Sequence, residues 1–264
     1  MIENKVSPMI HIITNYVTMN DLAQITLCYG GKPLMATHHE EIKEITSMAN
    51  GLLINIGTLE PYTMESMVKA IKVANENNTP VVLDPVGVQA SKLRKDFCVQ
   101  IIKNNKISLL KGNLSEIKTL IGESTKHIGI DSLDNQLSKE VTDKIDEFSR
   151  EMNCIIVVTG EVDYVTNGCE AYFVSNGVEK MSDLTGTGCM LGAILTTALA
   201  MYDNSNERFE AALRAVTAFG ICGELALQDL EKNQGLLTYK IKLLDYISLI
   251  ELNHIKSFGK LNKK

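Results

Sequence analysis

Four apolar runs of similar build recur along the chain: Gly51-Leu52-Leu53-Ile54-Asn55-Ile56-Gly57, Pro80-Val81-Val82-Leu83-Asp84-Pro85-Val86-Gly87, Ile107-Ser108-Leu109-Leu110-Lys111-Gly112-Asn113 and Cys154-Ile155-Ile156-Val157-Val158-Thr159-Gly160-Glu161. None alternates apolar with polar residues. Each therefore reads as a strand covered on both faces, the state of parallel strands held between helices. Helical stretches stand between or after them, from about Tyr62 to Asn77, Lys92 to Asn104 and Ser138 to Met152. This strand–helix alternation predicts an α/β fold with a mostly parallel central sheet and helices on both sides.

The remaining segments fill in that plan. Ile10 to Tyr16 predicts a strand or extended segment opening onto a pocket, with His11 and Asn15 as candidate ligand contacts or as polar groups satisfied in the core. Asn20 or Asp21 is expected to cap a helix ending at Gly30-Gly31, and Pro33-Leu34-Met35-Ala36 to form a short buried strand. Thr37 with Glu40 predicts a capping box for a helix bearing Ile42, Ile45 and Met48. Gly122 to Asn135 reads as a loop. Short strands at Tyr164 and at Ala171 to Val174, with turns at Asn167-Gly168 and Asn176-Gly177, predict antiparallel hairpins on one edge. Helices near Met190 to Tyr202, Glu207 to Asp229 and Ile241 to Leu252 close the chain, and Lys256 to Lys264 reads as a solvated end.

At 264 residues and 45% hydrophobic, one domain spanning 1–264 can bury a sizeable core. A net charge of −6 with dispersed Lys and Arg argues against a nucleic-acid surface. The apolar helix from Met190 to Tyr202 is too short for a bilayer, which needs about 20 residues per span. Six scattered cysteines include no C-x-x-C pair, and no secretion signal opens the chain. These features argue against structural zinc and place the expected thiols, reduced, in a cytoplasm.

Chemistry is concentrated in Asp183-Leu184-Thr185-Gly186-Thr187-Gly188-Cys189-Met190. Glycines on either side of a threonine, followed by a small-residue helix, let the backbone approach a ligand and end in free amides at the positive end of a helix dipole. Such a mouth accepts phosphate, although tight backbone packing uses the same residues. It is not a Walker loop, and its third glycine is one position late for a dinucleotide fingerprint. Cys189 falls in the first turn, where a helix N-terminus is expected to lower a thiol's pKa and make it a proton acceptor. Beyond the carboxyl ends of the strands stand Asp84, Lys111, Asn113 and Glu116, the region where open parallel sheets bind ligands. Asn113 and Glu116 have capping-box spacing, and a carboxylate that caps a helix can also hold a metal's water.

Taken together, His11-x-x-Thr14-Asn15-Tyr16, Asn55-Ile56-Gly57-Thr58, Leu83-Asp84-Pro85-Val86-Gly87, Lys111-Gly112-Asn113, Val158-Thr159-Gly160-Glu161-Val162-Asp163 and Thr185-Gly186-Thr187-Gly188-Cys189 stand in an order that resembles the hydroxyethylthiazole kinases. The likeness covers nearly the whole chain. It implies a ribokinase-like three-layer α/β/α fold and transfer of the ATP γ-phosphate, with Mg2+, to the hydroxyl of 4-methyl-5-(2-hydroxyethyl)thiazole. It also implies a homotrimer with thiazole sites between neighbours. Position by position, Met35 and Gly186 would bind the thiazole alcohol, joined by Asn15, and Lys111 and Thr159 would contact ATP. Asn113, Thr187 and Gly188 would complete the nucleotide site, Asp84 and Glu116 would serve the metal, and Cys189 would be the catalytic base. The family usually carries Arg where this chain has Lys111; lysine keeps the charge and loses the forked geometry. Two rival readings are another vitamin-precursor kinase of the same fold and a non-catalytic nucleotide- or thiazole-binding protein.

Overall fold

The computed structural model describes residues 7–124 and 137–264. Most of the expected Gly122–Asn135 loop lies outside them, and Gly122 itself belongs to a helix. The elements run β1 (Met9–Ile13), α1 (Met19–Cys28), β2 (Lys32–Leu34), α2 (Ile42–Met48), β3 (Gly51–Asn55), α3 (Pro61–Glu76), β4 (Val81–Asp84), α4 (Lys92–Asn104), β5 (Leu109–Asn113) and α5 (Leu114–Ser124). They continue with α6 (Lys139–Met152), β6 (Ile155–Thr159), β7 (Asp163–Thr166), β8 (Ala171–Val174), α7 (Thr187–Leu199), α8 (Ser205–Gln228), α9 (Leu236–Leu249), α10 (Leu252–Phe258) and β9 (Leu261–Lys263).

Among the described residues, the nine strands join one sheet in the order β2-β1-β3-β4-β5-β6-β7-β8-β9. The pairs from β2 to β6 are parallel, and β7, β8 and β9 add an antiparallel edge. The apolar runs behave as expected, because β3 and β4 are buried at every residue. Successive side chains enter opposite layers: Leu53 and Val82 pack toward α1, α7, α8 and α9, whereas Leu52, Ile54, Val81 and Leu83 pack toward the α3, α4 and α5 side. Each fully buried Leu or Ile contributes about 1.5–3 kcal/mol, so this two-sided burial holds the strands in register. Among the described residues, no helix is long and apolar enough to cross a membrane.

Several local expectations need correction. Thr18, not Asn20 or Asp21, precedes α1, and no side chain caps that helix. The Thr37–Glu40 capping box does not form: α2 starts at Ile42 after Glu41, again without a side-chain cap. The Pro33–Ala36 strand runs instead as Lys32–Leu34 at the sheet edge and is only partly covered. The basic tail is solvent-exposed as expected, but it is not a free end. Its residues extend β8 as an antiparallel edge strand, with Lys260 bonded to Glu224, Lys263 to Glu170, and Lys264 to Asp143 and Asp146. Exposed side chains hid this strand, since its partners are backbone groups of β8 and acids distant in sequence.

Candidate active site

The chain reverses its direction of progress across the sheet at β1, with β2 on one side and β3 on the other. At such a switch point the loops beyond the strand ends diverge and leave a crevice. Asn15 follows the end of β1, Asn55 ends β3, Asp84 ends β4, Asn113 ends β5 and Thr159 ends β6. Helix α7 packs across β1, β3 and β4 and brings its mouth to the same edge.

A buried polar network joins these ends. Asn55 donates from Nδ2 to Asp84 Oδ2 at 2.8 Å and to Cys189 Sγ at 3.2 Å. Asn15 Nδ2 donates to Asn55 Oδ1 at 2.9 Å and lies 3.7 Å from the same sulfur. Lys111 Nζ reaches Asp84 Oδ1 at 3.3 Å. A Cβ on Gly188 would stand 2.9 Å from Lys111 Nζ, so the ammonium lies directly beneath the exposed glycine of the α7 mouth. Gly186 caps α7 at φ +90°, a conformation glycine adopts without strain. Among the described residues, the N–H groups of Gly186, Gly188 and Cys189 meet no protein acceptor. Amides and ammonium are thus brought together at the α7 mouth.

The electrostatics follow from burial. Desolvation pushes Asp84 up to about 6 even with Lys111 beside it, and the charge of Glu116 adds to the rise. Burial opposes the charge on Lys111, but Asp84, Cys189 and Glu116 together outweigh it and raise its pKa. Cys189 overturns the expectation of a lowered thiol pKa: burial, then the charge of Asp84, raises it, and Lys111 and Asn55 do not offset them. Loss of water around a 7% exposed thiol decides the direction. Burial likewise pushes Asp163, which accepts from Gly160 N at 2.9 Å, up to about 7.

The capping box at the start of α5 is real. Asn113 N donates to Glu116 Oε2 at 2.8 Å and Glu116 N to Asn113 Oδ1 at 2.9 Å. The other carboxylate oxygen accepts from Gly87 N at 2.9 Å, tying α5 to the loop after β4. Among the described residues, no group of three or more His, Cys, Asp or Glu side chains forms a metal cage. Asp84 and Glu116 oxygens each hold one N–H donor and keep a lone pair, and their charges oppose one another. That donor set suits a hydrated Mg2+ shared with a nucleotide's phosphates.

Other expected site residues take quieter positions. Thr187 donates its hydroxyl to the carbonyls of Met181 and Leu184, both at 2.7 Å, and so shapes the loop rather than facing outward. Asn15 is engaged at both ends, since its Oδ1 also accepts from Thr18 N at 3.0 Å. Met35 enters by packing against the α7 side of the core. His11 holds the adjoining segment through Nε2 to Ala36 O at 2.8 Å and Nδ1 to Thr46 Oγ1 at 3.0 Å. Thr159 aligns with Asn113 across the β5–β6 ladder. Arg94 and Thr18 escaped the sequence reading, and Asn55 entered it within a motif but without a role. Asn55 carried a usable signal, a polar residue ending a buried run as Asp84 does. Arg94 clamps the loops after β3 and β4 by donating to Gly57 O and Val86 O, both at 2.6 Å. Thr18 is buried beside the α7 mouth.

The hydroxyethylthiazole kinase family model matches residues 2–253. A hydroxyethylthiazole kinase from Clostridium perfringens is 59% identical over 255 residues, covering 97% of this chain and 96% of that one. This chain belongs to the hydroxyethylthiazole kinase family. The solved hydroxyethylthiazole kinase structure from Pyrococcus horikoshii superposes with a TM-score of 0.84 at 36% identity, over 97% of this chain and 94% of that one. A ribokinase-like superfamily protein from Enterococcus faecalis, 12% identical, has a TM-score of 0.64 over 91% and 86% of the two chains and shares the fold alone. The family's kinase fold is thus ribokinase-like, a mostly parallel sheet between helical layers with an antiparallel edge.

Proposed function

We propose that this protein transfers the ATP γ-phosphate to the hydroxyl of 4-methyl-5-(2-hydroxyethyl)thiazole, yielding the thiazole phosphate for thiamine salvage. Residues 1–264 act as one kinase domain. The observation that carries the reading is the Asn55 amide bridging Asp84 and Cys189 beneath an α7 mouth whose Gly186, Gly188 and Cys189 amides are unpaired and whose Gly188 rests on Lys111. In this reading the acceptor, phosphoryl and cation sites lie side by side.

Phosphoryl transfer proceeds through a loose transition state, so alignment and charge neutralisation dominate. The acceptor oxygen attacks γ-phosphorus, the bond to the β-phosphate oxygen breaks, and ADP leaves. The amides of Gly186, Gly188 and Cys189 hold the transferred oxygens, Lys111 contributes a cation, and Thr159 and Asn113 border the nucleotide from the neighbouring strand ends. Asp84 and Glu116 would hold a hydrated Mg2+, which would supply positive charge against the triphosphate. With its pKa raised, Cys189 is a neutral thiol at pH 7. Its part is to orient the acceptor hydroxyl, whose proton leaves late and passes to a transferred phosphoryl oxygen. The same reading takes the protein as a cytoplasmic homotrimer; exposed Tyr16 and Val17 beside the site, and Leu237 and Ile241 on α9, support an apolar subunit contact.

Incubating the pure protein with ATP, Mg2+ and the thiazole alcohol should give the phosphate ester and ADP, resolved by mass spectrometry. Binding of both ligands without ester would leave a non-catalytic binder. Preference for a pyrimidine or pyridine alcohol would reassign the acceptor.

A further inference from the structure

Thr18 is 3% exposed, yet its hydroxyl has no hydrogen-bond partner. Native proteins leave few buried hydroxyls unpaired, because desolvation without a compensating bond is unfavourable. The residue itself is held firmly. Its N–H donates to Asn15 Oδ1 at 3.0 Å and its carbonyl accepts from Leu22 N at 2.9 Å, at the entry to α1. Its methyl group packs on the α7 mouth, where a Cβ on Gly186 would come within 2.4 Å of Thr18 Cγ2. The β-branched side chain then has few rotamers to choose from. Its hydroxyl faces the Cys189 sulfur as a weak donor that lowers the thiol's pKa, although the contact falls outside the limits of an ordinary hydrogen bond. Sulfur is a weak acceptor and leaves the oxygen's lone pairs open.

We infer that Thr18 is a substrate-binding residue whose Oγ1 accepts the O–H of the acceptor alcohol. This rests on the kinase reading and adds to it. In the ground state the acceptor's hydrogen points to Thr18 Oγ1, before it passes late to a phosphoryl oxygen, and the Thr18 hydrogen points to the Cys189 sulfur. One lone pair of the acceptor oxygen is then directed at γ-phosphorus, above the unpaired amides of Gly186 and Gly188. Thr18 and Cys189 together set the acceptor's angle of approach.

The test compares wild type with Thr18→Val, which keeps the shape and removes the hydroxyl, and Thr18→Ser, which keeps the hydroxyl. Steady-state kinetics in both substrates and thermal melts are measured for each. We expect Thr18→Val to lose about tenfold in kcat/KM for the alcohol, the scale of one neutral hydrogen bond, with KM for ATP unchanged. Thr18→Ser should stay within about twofold of wild type. The melting temperature of Thr18→Val should equal or exceed that of wild type, because an unpaired buried hydroxyl has been removed; a purely structural role would lower it. If the valine variant does not fold, Thr18→Ala carries the same kinetic expectation. The inference is overturned by an unchanged kcat/KM in the variants lacking the hydroxyl, or by equal loss in the serine variant. An active wild type with an indifferent Thr18→Val removes only this assignment, whereas a wild type that makes no thiazole phosphate removes the kinase reading itself.

Discussion

At the residue scale, Cys189 separates orientation from base strength. Burial keeps its thiol neutral, and Asn55 grips the sulfur at 3.2 Å. Cys189→Ala should therefore lower kcat by up to about 100-fold, the scale of lost alignment, while leaving KM for ATP nearly unchanged. Cys189→Asp, which restores a polar group at the acceptor, should keep substantial turnover; equal, mild effects of both changes would count against any role at the reacting hydroxyl. The sequence placed Cys189 at a helix mouth, and the structure agrees. It could not supply the sign of the pKa shift, which depends on how much water the folded chain removes from around the sulfur. Thr18 was illegible for a related reason: nothing in Tyr16-Val17-Thr18-Met19 reveals that a hydroxyl is turned inward and left unpaired. Asn55 was legible in principle, since it breaks an otherwise apolar strand as Asp84 does.

At the element scale, the four buried runs made the parallel sheet readable because two-sided burial is written locally as an unbroken apolar run. The edges were harder. β9 has exposed side chains throughout and owes its place to the β8 backbone and to acids far away in sequence. The capping box of α5 was readable from spacing alone. What spacing concealed is that Glu116 also receives Gly87 N and so fastens the loop after β4 to α5. Glu116→Gln replaces one acceptor oxygen with a donor facing a backbone N–H. We expect a stability loss of about 1–3 kcal/mol by denaturant titration. If Glu116 also serves the metal, the Mg2+ concentration for half-maximal activity should rise in the same variant. A lower melting temperature with an unchanged metal requirement would leave Glu116 as a cap alone.

At the scale of the whole molecule, acid should loosen the substrate side first. Burial lowers the pKa of His11, outweighing the bond to Ala36 O and the charge of Glu41. The folded chain therefore binds its proton less readily than the unfolded chain. The resulting stabilisation is complete above about pH 6.5, declines as pH falls from there toward the folded-state value, and changes no further below it. Asp84 works the other way: its folded pKa of about 6 lies above the unfolded value, so its cost is relieved between about pH 6 and 4. Comparing melting temperatures of wild type and His11→Gln across pH 5 to 8 isolates the histidine. The gap between them should narrow on acidification, and a constant gap would assign His11 a purely steric role.

The distribution of thiols carries a further consequence. Cys98, Cys154 and Cys222 are enclosed and pushed up to about 12, Cys189 is nearly enclosed, Cys28 is partly covered with its pKa raised by burial, and Cys169 alone is exposed, on the turn between β7 and β8. A limiting dose of iodoacetamide should modify Cys169 first, as peptide mapping would show, and leave catalysis intact. Inactivation should appear only with later labelling at Cys189 and should slow when ATP occupies the crevice. An alkylating reagent thus becomes a clock for how often that crevice opens, with the surface sulfur as its internal standard.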